Sequence, residues 1–238
     1  MFEKGDEFMG LYAIGDLHFS TLVEKPMNIF GDKWDKHEEK IISSWKDNVK
    51  DEDVVLVLGD TSWGINLTEA KPDLDIKSNL CGNKIFIKGN HDYWWTTVTN
   101  LNKLYDNMKF LQTNFYEYGE YAICGGRGWI CPNDFKFDDN DEKIYKREEN
   151  RIRLSLQAAK KKGYSKFIVI THYPPTNDKL EESLFTNLYE EYGVEKVIYG
   201  HLHGKESFKM GLKGVRNGVE YILASCDYTD FNLIKIMD

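Results

Sequence analysis

A chain of 238 residues is long enough for one large domain with its own core, and it leaves room for two small domains at most. Hydrophobic residues make up 41% and charged residues 29%, an ordinary globular balance that argues against disorder. A net charge of −8 argues against long nucleic acid as the main partner, because phosphate neutralisation needs clustered Lys and Arg. A small anionic ligand still fits if metal ions supply the positive charge. Cys81, Cys124, Cys131 and Cys226 form neither a C-x-x-C pair nor a disulfide framework, and read as reduced thiols of a cytoplasmic protein. The opening "MFEKGDEFMGLYAIGD" lacks the apolar core of a secretory leader, and no apolar run is long enough to span a membrane.

In chain order, residues 11–14 read as a first buried strand. In "DKHEEKIISSWKDNVK", Ile41, Ile42, Trp45 and Val49 then share one helical stripe. Residues 54–58 are a second strand, and "TSWGINLTEAKPDLD" after it reads as irregular, broken by Pro72. Residues 84–87 are a third strand. It leads into "YWWTTVTNLNKLYDNM", where Trp94, Val98, Leu101, Tyr105 and Met108 recur at helical spacing. Residues 121–124 are a fourth strand, and the acidic, turn-rich stretch at 131–150 reads as a solvated loop. "EENRIRLSLQAAKKKG" is helical through Ile152, Leu156 and Ala159, with Gly163 as its stop. Residues 166–170 form a strand. "DKLEESLFTNLYEEYG" carries Leu180, Leu184 and Leu188 on one face and ends at Gly193. Strands at 196–199, 221–224 and 232–236 close the chain. Most runs are dense in Val, Ile and Leu, as in strands covered on both faces, and their alternation with helices predicts an α/β fold.

The residues just beyond these runs carry the chemistry. "LYAIGDLH" ends in Asp16 and His18, "VVLVLGD" in Asp60, and "KIFIKGNHD" in Asn90, His91 and Asp92. "KFIVITH" ends in His172, and "KVIYGHLH" in His201 and His203. Five of the six histidines stand at such strand ends, with His37 the exception. A single strand-end histidine is ordinarily a hydrogen-bonded surface residue; five together point to one site outside the carboxyl ends of the strands. Carboxylate, imidazole and amide oxygen, with no thiolate, suit Mn2+, Fe, Zn2+, Co2+ or Ni2+ better than Ca2+. Asp16, His18, Asp60, Asn90, His172, His201 and His203 are too many for one ion; two ions sharing a carboxylate would use them all.

These segments, "GDLH", "LGD", "GNHD", "THYPP" and "GHLHG", resemble the ordered motifs of the calcineurin-like metallophosphoesterases. "GNHDYWW" and "GGRGW" are further similar to a small bacterial group of phosphohydrolases within that family. The resemblance implies one domain over residues 1–238, folded as a four-layer α-β-β-α sandwich with mixed sheets. It implies a metal-dependent hydrolase of a phosphomonoester or phosphodiester, acting on a small phosphorylated substrate through a hydroxide shared by two divalent metals. Asp16, His18 and His203 would hold one ion, Asn90, His172 and His201 the other, and Asp60 would bridge. His91 would face the substrate as acid or electrostatic partner, and Asp92 would orient His91 by a hydrogen bond. Relatives that become non-catalytic binding scaffolds lose a ligand or this histidine; here all are present. One departure from the family pattern is Trp63, which stands where many relatives carry a further Asp.

Other residues carry less. Arg127 in "GGRGW" is a candidate contact to the substrate phosphate, since glycines admit a ligand and a guanidinium suits phosphate. Arg151 and Arg153 read as surface ion-pair residues, and His37 as a helix cap or a solvated residue. Trp94 and Trp95 read as core, with room for one of them to line the site.

Overall fold

The computed structural model describes residues 9–133 and 136–238. Residues 1–8, part of the leader reading, and 134–135, within the acidic stretch, lie outside the described residues. In a first sheet, β1 (Leu11–Ile14), β2 (Val54–Val57), β3 (Asn83–Phe86) and β4 (Met108–Phe110) run parallel, and β11 (Ile234–Met237) lies antiparallel to β1. Its order is β11-β1-β2-β3-β4. In a second sheet, β6 (Tyr121–Gly126), β7 (Lys166–Thr171), β8 (Lys196–Tyr199) and β10 (Val219–Leu223) run parallel. Antiparallel β5 (Tyr116–Tyr118) and β9 (Gly214–Arg216) form its edges, in the order β5-β6-β7-β8-β10-β9.

The two-residue period of a strand sorts the apolar side chains into three layers. Leu11, Ala13, Leu56 and Ile85 meet Ile123, Ile168, Ile170 and Ile198 between the sheets. The alternate residues Val55, Val57 and Phe86 pack under α1 (His37–Asn48) and α2 (Leu67–Ser78), through Ile41, Trp45, Ala70 and Leu74. On the other side, Val169, Val197 and Tyr221 pack under α4 (Asp139–Lys161) and α5 (Leu184–Tyr192), through Ile152, Leu156, Phe185 and Leu188. The result is the expected α-β-β-α sandwich with mixed sheets. Covering both faces explains why the strands read as continuous apolar runs rather than alternating ones.

Register brings the strand ends level. Ile14, Val57 and Phe86 are neighbours at the end of the first sheet, and Gly126, Thr171, Tyr199 and Leu223 at the end of the second. The sheets are sewn together there by a parallel bridge between Gly15 and Ser225: Gly15 N–H donates to Ala224 C=O at 2.7 Å, and Cys226 N–H to Gly15 C=O at 3.0 Å. The loops leaving β1, β2, β3, β7 and β8 therefore bring residues to one place.

Five local expectations change, the first being that Leu180 does not share a helix with Leu184 and Leu188, because α5 begins at Leu184 and Leu180 precedes it in a left-handed conformation (φ 58°). "TSWGINLTEAKPDLD" is irregular only at its start, because α2 begins at Leu67 and carries Pro72 inside it. Asn66 caps it, accepting from Glu69 N–H at 3.1 Å, while the Glu69 carboxylate accepts from Ile65 N–H at 2.8 Å. These reciprocal bonds secure the first turn and offset the one that Pro72 cannot make. The stretch 131–150 is helical from Asp139 onward: the Asp138 side chain opens α4 with a capping box closed by Asp141. The stripe from Trp94 to Met108 is helical only in α3 (Val98–Leu101); Trp94 and Trp95 precede it, and Met108 belongs to β4. His37 is neither a cap nor solvated: it is buried at the start of α1, with Nε2 3.1 Å from Leu17 C=O. It anchors the loop that carries Asp16 and His18.

Candidate metal centre

Each strand exit delivers one or two donors. Asp16 and His18 follow β1, Asp60 follows β2, Asn90 follows β3, His172 follows β7, and His201 and His203 follow β8. Asp16, His18, Asp60 and His201 have positive φ (62°, 48°, 48° and 72°), conformations that non-glycine residues seldom adopt. Strain of this kind persists only where surrounding bonds fix it. Here Asp16 N–H donates to Gly59 C=O at 3.0 Å, His18 N–H to Asp60 C=O at 2.9 Å, and His201 N–H to the Asp16 carboxylate at 2.9 Å.

The donors form two adjoining sets. Asp16, His18 and His203 converge as one, with His203 Nε2 3.6 Å from Asp16 Oδ1. Asn90 Oδ1 lies 2.6 Å from His172 Nε2 and 3.0 Å from His201 Nδ1, which are themselves 3.1 Å apart. Asp60 Oδ2 sits between the sets, 3.8 Å from His18 Nε2 and 3.5 Å from His172 Nε2.

The chemistry of the second set fits a cation. His172 Nδ1 lies 2.9 Å from Leu58 C=O, so that nitrogen donates and Nε2 turns a lone pair toward Asn90 Oδ1, another acceptor. Two acceptors 2.6 Å apart call for positive charge between them. Burial holds His201 down at about 3 and His18 well below its usual value, so both present neutral, ligand-ready imidazoles. Burial also pushes Asp60 up to about 7, against the pull of His172 and with Asp92 and Asp16 adding to it. His203 behaves oppositely: burial opposes its charge, but Asp16, then Asp227, raise it to about 10. The 3.6 Å gap between His203 Nε2 and Asp16 Oδ1 is where a cation would bind.

The other predicted residues divide. His91 joins the site: its N–H donates to Asp60 Oδ1 at 2.8 Å, and its ring lies 5.9 Å from that of His18. Asp92 does not orient the His91 ring. Its oxygens accept from Thr61 N–H (2.8 Å), Ser62 N–H (3.4 Å), Gly89 N–H (2.8 Å) and Trp94 Nε1–H (2.9 Å). It is fully buried, and its bonds run inward to the backbone, so it clasps the β2 and β3 exit loops together. Trp94 and Trp95 are core, as expected, and Trp94 doubles as a partner of Asp92. Arg127 does not face His91; it opens into a separate cavity with Lys88 and Arg151. Arg153 pairs with Glu149 and Glu191 on the surface, as expected, whereas Arg151 pairs with the buried Glu148.

Two residues without an assigned role in the sequence reading belong here. Trp63 stacks on the His18 ring at 4.8 Å and 22°, and lies 4.5 Å from His91. With Met27, Phe30 and Trp34 it walls a pocket of about 460 Å3 that His18, His91 and His203 also line. Asp227 lies beyond β10 and accepts from Gly204 N–H at 3.0 Å, while its other oxygen is 2.9 Å from His203 Nδ1. The strand-end rule that found the histidines would have found Asp227, had carboxylates beyond β10 been followed as well. An Asp227→Asn substitution is expected to weaken metal binding roughly 10–100-fold, because the imidazole loses the charge that fixes its tautomer. Competition titration with a chromogenic chelator reads this directly, and an unchanged affinity would remove Asp227 from the site.

Comparisons with known proteins agree with this architecture. A family model described as calcineurin-like phosphoesterase matches residues 9–205. No curated protein sequence matches the chain. Among solved structures, the chain is similar to the protein TT1561 of Thermus thermophilus (TM-score 0.58, 14% identity, covering 95% of this chain and 97% of that one). It is similar also to the protein of unknown function AQ665 from Aquifex aeolicus (TM-score 0.53, 19% identity, 96% of each chain). A third is the phosphopantetheinyl hydrolase from Mycobacterium tuberculosis (TM-score 0.53, 15% identity, 96% of this chain and 95% of that one). At these identities the likeness speaks to the fold.

Proposed function

The chain belongs to the calcineurin-like phosphoesterase family, and from that premise we propose that it hydrolyses a small phosphorylated substrate with the help of two divalent metal ions. The observation that carries this reading is the position of Asp60 between two convergent donor sets, one of which brings acceptors within 2.6 Å of each other. Asp16, His18 and His203 would hold one ion, Asn90, His172 and His201 the other, and Asp60 both. When bound, such ions stabilise charge on phosphoryl oxygens and lower the pKa of coordinated water toward neutrality.

The protein's own residues do the rest. Asn90 contributes a neutral oxygen, so the site gains a ligand without another negative charge facing the phosphate. His91 is held by its backbone bond to Asp60 with its ring at the pocket, where it meets the phosphate or the leaving oxygen. Burial keeps this imidazole below its usual pKa, so at neutral pH it starts uncharged and meets the developing negative charge by donating a hydrogen bond from its one ring N–H. Trp34, Trp63, Met27 and Phe30 give the ester group an apolar seat that excludes water. A cytoplasmic location and a single domain over residues 1–238 belong to the same reading. The four free cysteines support the first, and the core shared by the two sheets supports the second. No helix of the described residues is long and apolar enough to cross a membrane.

The test is to strip the protein with chelator and restore Mn2+, Ni2+ or Zn2+ separately. Hydrolysis of p-nitrophenyl phosphate and bis(p-nitrophenyl) phosphate is followed in each case. Loss on chelation and recovery with at least one metal is the expected result, and the faster of the two esters assigns monoester or diester preference. Silence on both esters with every metal would favour a binding scaffold instead.

A further inference from the structure

At the same carboxyl edge, but toward β4 of the first sheet and β6 of the second, lies a cavity of about 270 Å3. Lys88 enters it from the β3 exit, Arg127 from the β6 exit, and Arg147 and Arg151 from α4. Trp95 and Leu111, both buried, supply its apolar wall. Four cationic side chains thus gather in one hollow of a chain whose net charge is −8.

Among the described residues, two carboxylates act on them: Asp92 on Lys88, and Glu148 on Lys88 and the three arginines. Glu148 is fully buried, and a single oxygen, Oε1, serves Arg151 at 2.6 Å, Arg127 at 3.5 Å and Arg147 at 3.7 Å. Two carboxylates against four cations leave part of the positive charge here uncompensated. Arg127 Nε is buried and has no hydrogen-bond partner among the described residues, although its guanidinium is fixed over the Trp129 ring at 4.4 Å. A pinned guanidinium with an unused donor, beside a lysine and two further arginines, has the form of a receptor for a tetrahedral oxyanion.

We propose that Lys88, Arg127, Arg147 and Arg151 form a binding site for a phosphate-class oxyanion, distinct from the metal centre. The site needs no metal, so it stands apart from the phosphoesterase reading. It is nonetheless tied to that centre through the backbone. Lys88 is two residues before Asn90, and Arg127 C=O accepts the His172 N–H at 3.1 Å. The oxyanion arrives either free, as inorganic phosphate, or as a second anionic group on the ester being hydrolysed.

The experiment begins with chelator-treated protein, titrated calorimetrically with inorganic phosphate and with pyrophosphate at low and high salt. Wild-type protein is expected to bind, less tightly as salt rises. A Lys88→Met/Arg147→Met variant is expected to bind at least about tenfold more weakly, since each lost charge-assisted bond costs about that factor. This pair leaves Arg151, the nearest partner of Glu148, in place, so an unchanged melting temperature accompanies the loss. Absence of binding to wild-type protein, or equal binding by the variant, overturns the proposal. With metal restored, the same variant separates the sources. A KM raised only for an ester bearing a second phosphate identifies a substrate group; weakened phosphate binding with KM unchanged for both esters identifies a free anion.

Discussion

Replacing His91 by alanine is expected to lower kcat by about 10²- to 10⁴-fold, the range associated with losing one positioned proton donor or electrostatic partner. Metal affinity should stay close to wild type, because the bond that ties this residue to Asp60 is made by its backbone N–H, which alanine keeps. The two readouts together make the prediction specific. Metal stoichiometry by calorimetry should be unchanged, and hydrolysis of p-nitrophenyl esters at saturating metal should be nearly lost. A variant that keeps full turnover would leave His91 as one more wall of the aromatic pocket beside Trp63. A variant that loses its metals would make it part of the ligand framework. His91→Gln should recover part of the rate if hydrogen bonding matters more than proton transfer.

Gly89→Ala is the substitution expected to do most damage to the site as a whole. A Cβ at this position would fall 2.1 Å from Asp60 Oδ1 and 2.2 Å from Asp60 N. The neighbouring contact is equally tight from the other side, since a Cβ on Gly59 would lie 2.6 Å from Gly89 N. Gly59 also holds φ at +87°, a conformation that side chains rarely adopt. The β2 and β3 exits therefore touch backbone to backbone, and Asp60 is wedged between them. Relief must come from moving main chain rather than from a rotamer change, at about 3 kcal/mol, the upper range for overpacking. The expected outcome is a lower urea midpoint together with weakened binding of both metals. A variant with a normal midpoint and normal metal stoichiometry would show that the loops have slack the geometry does not suggest.

Much of this site was legible in the sequence because a parallel sheet converts order along the chain into proximity in space. Once residues 11–14, 54–58, 84–87, 166–170 and 196–199 are read as parallel buried strands, the residues after them must gather at one edge. Asp16, Asp60, Asn90, His172 and His201 needed no more than that. The misreadings arose where a residue's role depends on which neighbour reaches it. Asp92 follows His91 directly, yet its carboxylate turns inward to Thr61 and Gly89, a choice set by tertiary packing. Arg127 follows a strand end as the ligands do. Its strand lies beyond β7 in the sheet, however, so it opens into another hollow. Helix α2 was hidden because Pro72 is a strong local signal, whereas the cap at Asn66 that outweighs it is a matter of geometry. β4, β5 and β9 have three residues each, too few for any period to show.

The bridge between Gly15 and Ser225 has a thermodynamic consequence. Asp16, His18, Asp60 and Asn90 belong to one sheet, and His172, His201 and His203 to the other, so each proposed ion draws ligands from both. A bound ion then acts as a cross-link between halves that are otherwise joined mainly by apolar contact. Because such ligand sets exist only when the halves are docked, occupancy at about 100 times the dissociation constant adds about 2.7 kcal/mol to the docked state. Metal loading would in this sense act as a checkpoint on assembly, and a loaded chain would resist opening along its central seam.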